Sequence, residues 1–144
     1  MIRLTEVLAR LEELVPDLAG RLEGAAKFGE LVETNHLPQQ TPAGFVLPGG
    51  LTGGTAKLST GKFIQDFRES VIVVLVLRSA GDPLAMRAID EASPIVRQVV
   101  EAVCGWGPDD APGVFVLERA ELVGAKQGAL VFEMSFALDD QLRI

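Results

Sequence analysis

The chain has 144 residues, 48% hydrophobic and 23% charged, which is the balance of one ordinary globular domain over 1–144 with room for a single core. Its longest apolar run, Val71 to Leu77, is far shorter than the roughly 20 residues of a membrane span, and the single Cys104 excludes an internal disulfide. Against 13 Lys and Arg stand 20 Asp and Glu, a net charge of −7, the opposite of the basic surface that grips phosphates.

An acidic surface serves solubility, and it also suits a channel past which DNA slides without sticking. A local basic patch at Lys57, Lys62 and Arg68 stays open beside that reading.

Met1-Ile2-Arg3-Leu4-Thr5-Glu6 runs straight into an amphipathic pattern and lacks the basic-then-apolar layout of a leader, so cytoplasmic synthesis is expected. Leu4, Val7, Leu8, Leu11, Leu14 and Val15 repeat at helical spacing opposite Glu6, Arg10, Glu12 and Glu13, and Pro16 ends the helix. Residues 20–25 are a short strand candidate. A second helix is predicted from Ala26 to about Glu33, with Phe28, Leu31 and Val32 on one face. Asn35 to Pro42 reads as a loop broken by Pro38 and Pro42.

Ala43 to Leu47 is a brief strand candidate closed by Pro48. The four glycines of Gly49 to Ala56, with Lys57 to Gly61 after them, predict a flexible loop, read as a docking element that orders on contact or as a mobile hairpin. Lys62 to Arg78 is the strongest strand. Phe63, Phe67, Val71, Val73, Leu75 and Leu77 share one face at period two, while the other begins polar and turns apolar at Ile72, Val74 and Val76. Apolar on both sides, its second half needs a helix or a neighbouring subunit over the Ile72, Val74 and Val76 face.

Asp82-Pro83 is a helix start. The stripe Leu84, Ala88, Ile89, Ala92, Val96, Val99, Val100 and Val103 follows, and Gly105 ends it; Ser93-Pro94 predicts a kink or two successive helices. Trp106 to Pro112 is a loop with an acidic turn at Asp109-Asp110. A closing hairpin runs from Val114 to Val123 and from Ala129 to Leu138, where Leu130, Phe132, Met134, Phe136 and Leu138 form the core face. The expected fold is α+β: a single mixed, mostly antiparallel sheet with helices on one face.

No constellation for catalysis emerges. A P-loop needs a glycine five residues before Gly61, where Ala56 stands, then Ser or Thr after Lys62, where Phe63 stands, and then a helix, where a strand follows. His36 and Cys104 are the only residues of their kinds, so no zinc cluster forms. His36 reads as a polar loop residue and Cys104 as a small buried hydrophobe. Asp109, Asp110, Asp139 and Asp140 offer carboxylates for acid–base work, but adjacent acids on turns and at a terminus are normally solvated. With no tyrosine, and with seven Phe and one Trp mostly on core faces, little is left for stacking on bases. No catalytic, metal or cofactor residue is assigned.

The strand ending Val73-Val74-Leu75-Val76-Leu77-Arg78-Ser79-Ala80-Gly81-Asp82, the helix after it, Gly105-Trp106-Gly107-Pro108 and the closing hairpin resemble the tail-terminator (tail-completion) proteins of long-tailed bacteriophages, of the Mu-like and prophage kind. Leu22-Glu23-Gly24-Ala25-Ala26 and Leu37-Pro38-Gln39-Gln40-Thr41-Pro42-Ala43 extend the likeness over nearly the whole chain. Its motifs are structural, and specificity lies in their order.

The resemblance implies a non-enzymatic virion subunit, assembled in the bacterial host cytoplasm, that forms a hexameric ring at the neck-proximal end of the tail. Its partners would be the tail tube protein and head–tail connector proteins, with DNA only passing through the lumen and no membrane involved. The ring would end tube polymerisation and offer the head-joining surface. The residues expected at interfaces are Leu51, Thr52, Lys57, Phe63, Arg68, Ile72, Val74 and Val76. A head–tail connector subunit is the nearest rival; a small ligand-binding domain or enzyme, marked by a deep pocket with converging polar groups, is the more distant one.

Overall fold

The computed structural model describes residues 2–78, 86–126 and 128–144. Helix α1 (Leu4–Leu14) buries Val7 and Leu11, and Pro16 turns the chain into a short 3-10 segment, Pro16–Leu18, whose Leu18 joins the core. Leu14, read on the apolar stripe, is 43% exposed. Strand β1 (Leu22–Glu23) is only two residues long, and α2 (Ala25–Glu33) follows it. Then come β2 (Ala43–Ser59), β3 (Lys62–Arg78), α3 (Met86–Val103), β4 (Val116–Lys126) and β5 (Ala129–Arg143).

The five strands form one sheet in the order β1-β2-β3-β5-β4. β1 runs parallel to β2, and the other pairs are antiparallel, so the α+β, mostly antiparallel reading holds. The core face carries Val71, Val73, Leu75 and Leu77 from β3 and Leu130, Met134, Phe136 and Leu138 from β5, covered by α1 and α3. Each such side chain contributes roughly 1.5–3 kcal/mol by leaving water. The short α2 departs from the one-sided arrangement. Its Phe28 and Leu31 pack on the opposite face, against Phe45, Val74 and Val76, with the Phe28 and Phe45 rings 5.3 Å apart.

Three sequence readings are corrected. Gly49 to Gly61 is not a loop: β2 continues from Ala43 through Pro48 to Ser59, in register with β3. The strand tolerates its glycines because register shifts at Pro48/Gly50 and Gly53/Ala56 absorb the misfit. The tight turn is Thr60-Gly61, both with positive φ, as a two-residue type I′ hairpin demands. Second, of the two expectations at Ser93-Pro94 the successive helices fall: Met86–Val103 is one helix with Pro94 inside it, forgoing the backbone bond to Asp90. Third, the last hairpin is shifted, with β4 starting at Val116 and β5 running on to Arg143, so Asp139 and Asp140 lie inside a strand. The expected helix start at Asp82-Pro83, with Leu84, lies outside the described residues.

Candidate assembly interface

The outer halves of β2 and β3 extend past the helices as an arm, joined by the end of β5. Register pairs run from Leu51↔Glu69 to Ser59↔Lys62 and from Arg68↔Asp139 to Ile64↔Arg143. Phe63 and Ile144 exchange both backbone hydrogen bonds, at 2.8 and 3.0 Å. Directly opposed residues share a face. One face, continuous with the core side, therefore carries Leu51, Leu58, Phe63, Phe67, Leu142 and Ile144. The other carries Thr52, Lys57, Ile64, Asp66, Arg68, Asp139 and Arg143. Every β2 residue from Pro48 to Ser59 is exposed, with Leu58 at 79% and Ile144 at 75%. Neither face of the arm contributes to the buried clusters.

At its base the arm is pinned by a residue the sequence reading passed over. Arg3, 4% exposed, donates to Glu69 at 2.5 Å, to Asp140 at 2.7 Å and to Asp110 at 3.3 Å, and its backbone N–H also donates to Glu69. Glu69 is itself 1% exposed. Burial pulls the Arg3 guanidinium down, but the hydrogen bonds to Asp140, Glu69 and Asp110 outweigh it and hold the group above its ordinary value. Hydrogen bonding to Arg3 holds the Asp110 carboxyl below the usual carboxylate range. Asp140, expected to be solvated, is instead 11% exposed against this guanidinium, whereas Asp110 stays 70% exposed as expected and reaches it from the surface; Arg3 thus joins the start of α1, the 109–110 turn, β3 and β5. On the other face, Arg68 meets Asp139 at 2.8 Å and Glu118 at 3.6 Å, and lowers the Asp139 carboxyl. These exposed pairs, screened by water, contribute little to stability.

The expected interface residues thus divide. Leu51, Thr52, Lys57, Phe63 and Arg68 lie together on the arm, Phe63 half-buried and the rest exposed. Val74 and Val76, each 3% exposed, are covered by α2 within the chain and leave nothing for a neighbour; Ile72 beside them is half-buried.

A second exposed apolar surface lies across the sheet. Ile89, Ala92, Ser93 and Val96 of α3 face Leu122, Leu130 and Phe132 across an open groove of about 320 Å3. β4 forms that edge of the sheet and keeps Val116, Leu117, Leu122 and Val123 in water. Register shifts interrupt β4 twice, as they do β2, which blunts both free edges against pairing with another strand.

The chemical candidates stay apart. His36 is exposed in the loop after α2, on the rim of a wide open concavity, and Cys104 is half-buried against the core. Among the described residues no group of three or more His, Cys, Asp or Glu stands close enough to hold a metal ion, and no helix is long and apolar enough to cross a membrane. Gly105-Trp106-Gly107-Pro108 is architectural. Trp106 stacks on Phe115 at 5.9 Å beneath the Arg10 guanidinium, and a Cβ on Gly107 would lie 2.2 Å from the Gly113 carbonyl oxygen.

A family model described as phage tail terminator protein matches residues 1–144. A chain in a solved structure, described as the virion of a native gene transfer agent (GTA) particle, is 15% identical to this one. It superposes with a TM-score of 0.59 over 94% of this chain and 92% of its own, a likeness of fold. No curated protein matches the chain.

Proposed function

The chain belongs to the phage tail terminator family and is a structural component of a tailed virion; from that premise we propose that six copies close into a ring that caps the tail tube. The ring ends tube polymerisation, presents the surface to which head connectors bind at the neck-proximal end, and leaves DNA to pass through its lumen. It carries no catalytic step. Assembly takes place in the cytoplasm of the bacterial host.

The observation that carries this reading is the arm. Its strands pair backbone to backbone, yet no helix covers it, and Leu58 and Ile144 stand in water while Phe63, Phe67 and Leu142 are only half-buried. A few strands with an unburied apolar face are marginal alone, and exposed apolar patches of this kind mark contact with another protein. Two different exposed surfaces, the arm at the outer ends of β2 and β3 and the groove beside edge strand β4, lie apart on the same side of the sheet. Surfaces placed so favour head-to-tail contact, which makes a ring when the rotation closes.

Electron microscopy of the purified protein mixed with matching tail tubes tests the proposal. Six-fold rings seated at one end of each tube are the expected result. Bare tubes beside free subunits, under conditions in which the neck assembles, would move the chain to a connector role.

A further inference from the structure

We propose that the apolar face of the arm packs into the α3–β4 groove of a second copy of this chain, so that each subunit gives its arm to one neighbour and receives the arm of the other. The contact rests on the ring reading and specifies it.

Three observations converge on it. The arm face carries Leu58, Phe63 and Ile144 side by side with Leu51, Phe67 and Leu142 behind them, uncovered by any helix. The groove is the other open apolar surface on the same side of the sheet, with Ile89 42% and Leu122 47% exposed at its mouth. The arm lies at the outer end of β2 and β3, and the groove beside β4 at the other end of the sheet, where Leu130 and Phe132 pair with Leu77 and Leu75. They face two neighbours, as a head-to-tail contact requires.

Charge selects the same partner. The arm tip holds Lys57, Lys62 and Arg143, none of them ion-paired among the described residues, within a chain of net charge −7. Beside the groove stand Asp90 and Glu91, in the same turn of α3 as Ile89. The nearby Arg97 and Arg119 are already held by Glu101 and Glu121. Lys57, Lys62 and Arg143 belong to the face turned away from the seat, so charge acts at the margin of the contact, where these long side chains at the arm tip can reach Asp90 and Glu91. The blunted edges of β2 and β4 make this a contact of side chains and not an added strand.

The test uses two full-length variants at exposed positions, Leu58→Asp on the arm and Leu122→Asp in the groove, each checked for an unchanged thermal melt. They are compared under whichever condition, free or on tail tubes, gives the wild-type ring. Each variant alone is expected to lose the ring and remain a 15.4 kDa monomer. An equimolar mixture keeps one intact arm and one intact groove, so it should yield a species of twice that mass and nothing larger. Lys57→Glu with Arg143→Glu should weaken the wild-type ring at low salt and matter less as salt screens the pair. A mixture that stays monomeric overturns the contact while leaving the ring reading intact. A Leu122→Asp ring that closes normally while Leu58→Asp fails places the arm on the tube or on another arm, and overturns it too. Wild-type protein that closes no ring in either condition overturns the ring reading itself.

Discussion

The same two strands, β2 and β3, pass through two unlike environments. Around Phe45 and Val74 the sheet is sandwiched, with α1 and α3 over Val73 and Leu75 and α2 over Val74 and Val76. Around Leu58 and Phe63 the ladder continues in register, but no helix covers either face. Backbone pairing is therefore not what separates the two halves. The covered half is held by apolar burial shared with the whole domain, whereas the arm is held by its ladder and by the Arg3 anchor at its base. A region of that second kind opens locally without unfolding the rest, which suits a part whose burial is completed by another molecule.

The largest effect is expected at the boundary. Arg3→Ala leaves Glu69 buried without its cation and should cost about 3–5 kcal/mol in urea denaturation; a loss under 1 kcal/mol would mean the arm base admits water and that the contrast between the halves is blurred. In the covered half, Leu75→Ala should cost about 2–5 kcal/mol and lower the single cooperative transition. Hydrogen exchange should then sharpen the contrast: amides of 51–58 are expected to exchange well before those of 71–77 in the free subunit. Equal protection in both segments would show that the arm is part of the core's cooperative unit.

Acid should act mainly on the arm base. Asp110 and Asp139 hold their protons below the ordinary aspartate value of about 3.9. Their contribution is therefore complete above that pH and disappears as pH falls through their lowered folded values. Arm exchange should accelerate there ahead of global unfolding, and Asp110→Asn should remove part of that dependence. The smallest effect on the monomer belongs to Leu58→Ser, expected within about 0.5 kcal/mol of wild type in a thermal melt.

The covered half was legible in the sequence because its signal is periodic. Alternation placed β3 at Lys62–Arg78, the bounds observed, and helical spacing gave α1 and the α3 stripe. The arm was misread because glycine weighs against a strand, although here a side chain would not fit. A Cβ on Gly49 would come within 2.8 Å of the Ser70 Cβ, and one on Gly54 within 3.1 Å of the Asp66 carbonyl oxygen. The Arg3 anchor left one trace, Glu69 at the core-facing parity between Phe67 and Val71. Its three acidic partners come from positions 66, 107 and 137 residues away, a convergence that local pattern does not encode. Of the residues expected at an interface, those on the arm divide between its two faces, Leu51 and Phe63 on one and Thr52, Lys57 and Arg68 on the other. Val74 and Val76 received the first of the two covers expected for their face, a helix of the same chain, α2.

Trp106 offers an optical consequence. The chain has no tyrosine and this one tryptophan, half-buried between Phe115 and the Arg10 guanidinium in the helix-covered half. Its emission therefore reports whether α1, the end of α3 and the strand after it are packed together. A dye placed on the arm would report docking on a separate colour channel, so folding and assembly can be followed in one cuvette as independent signals.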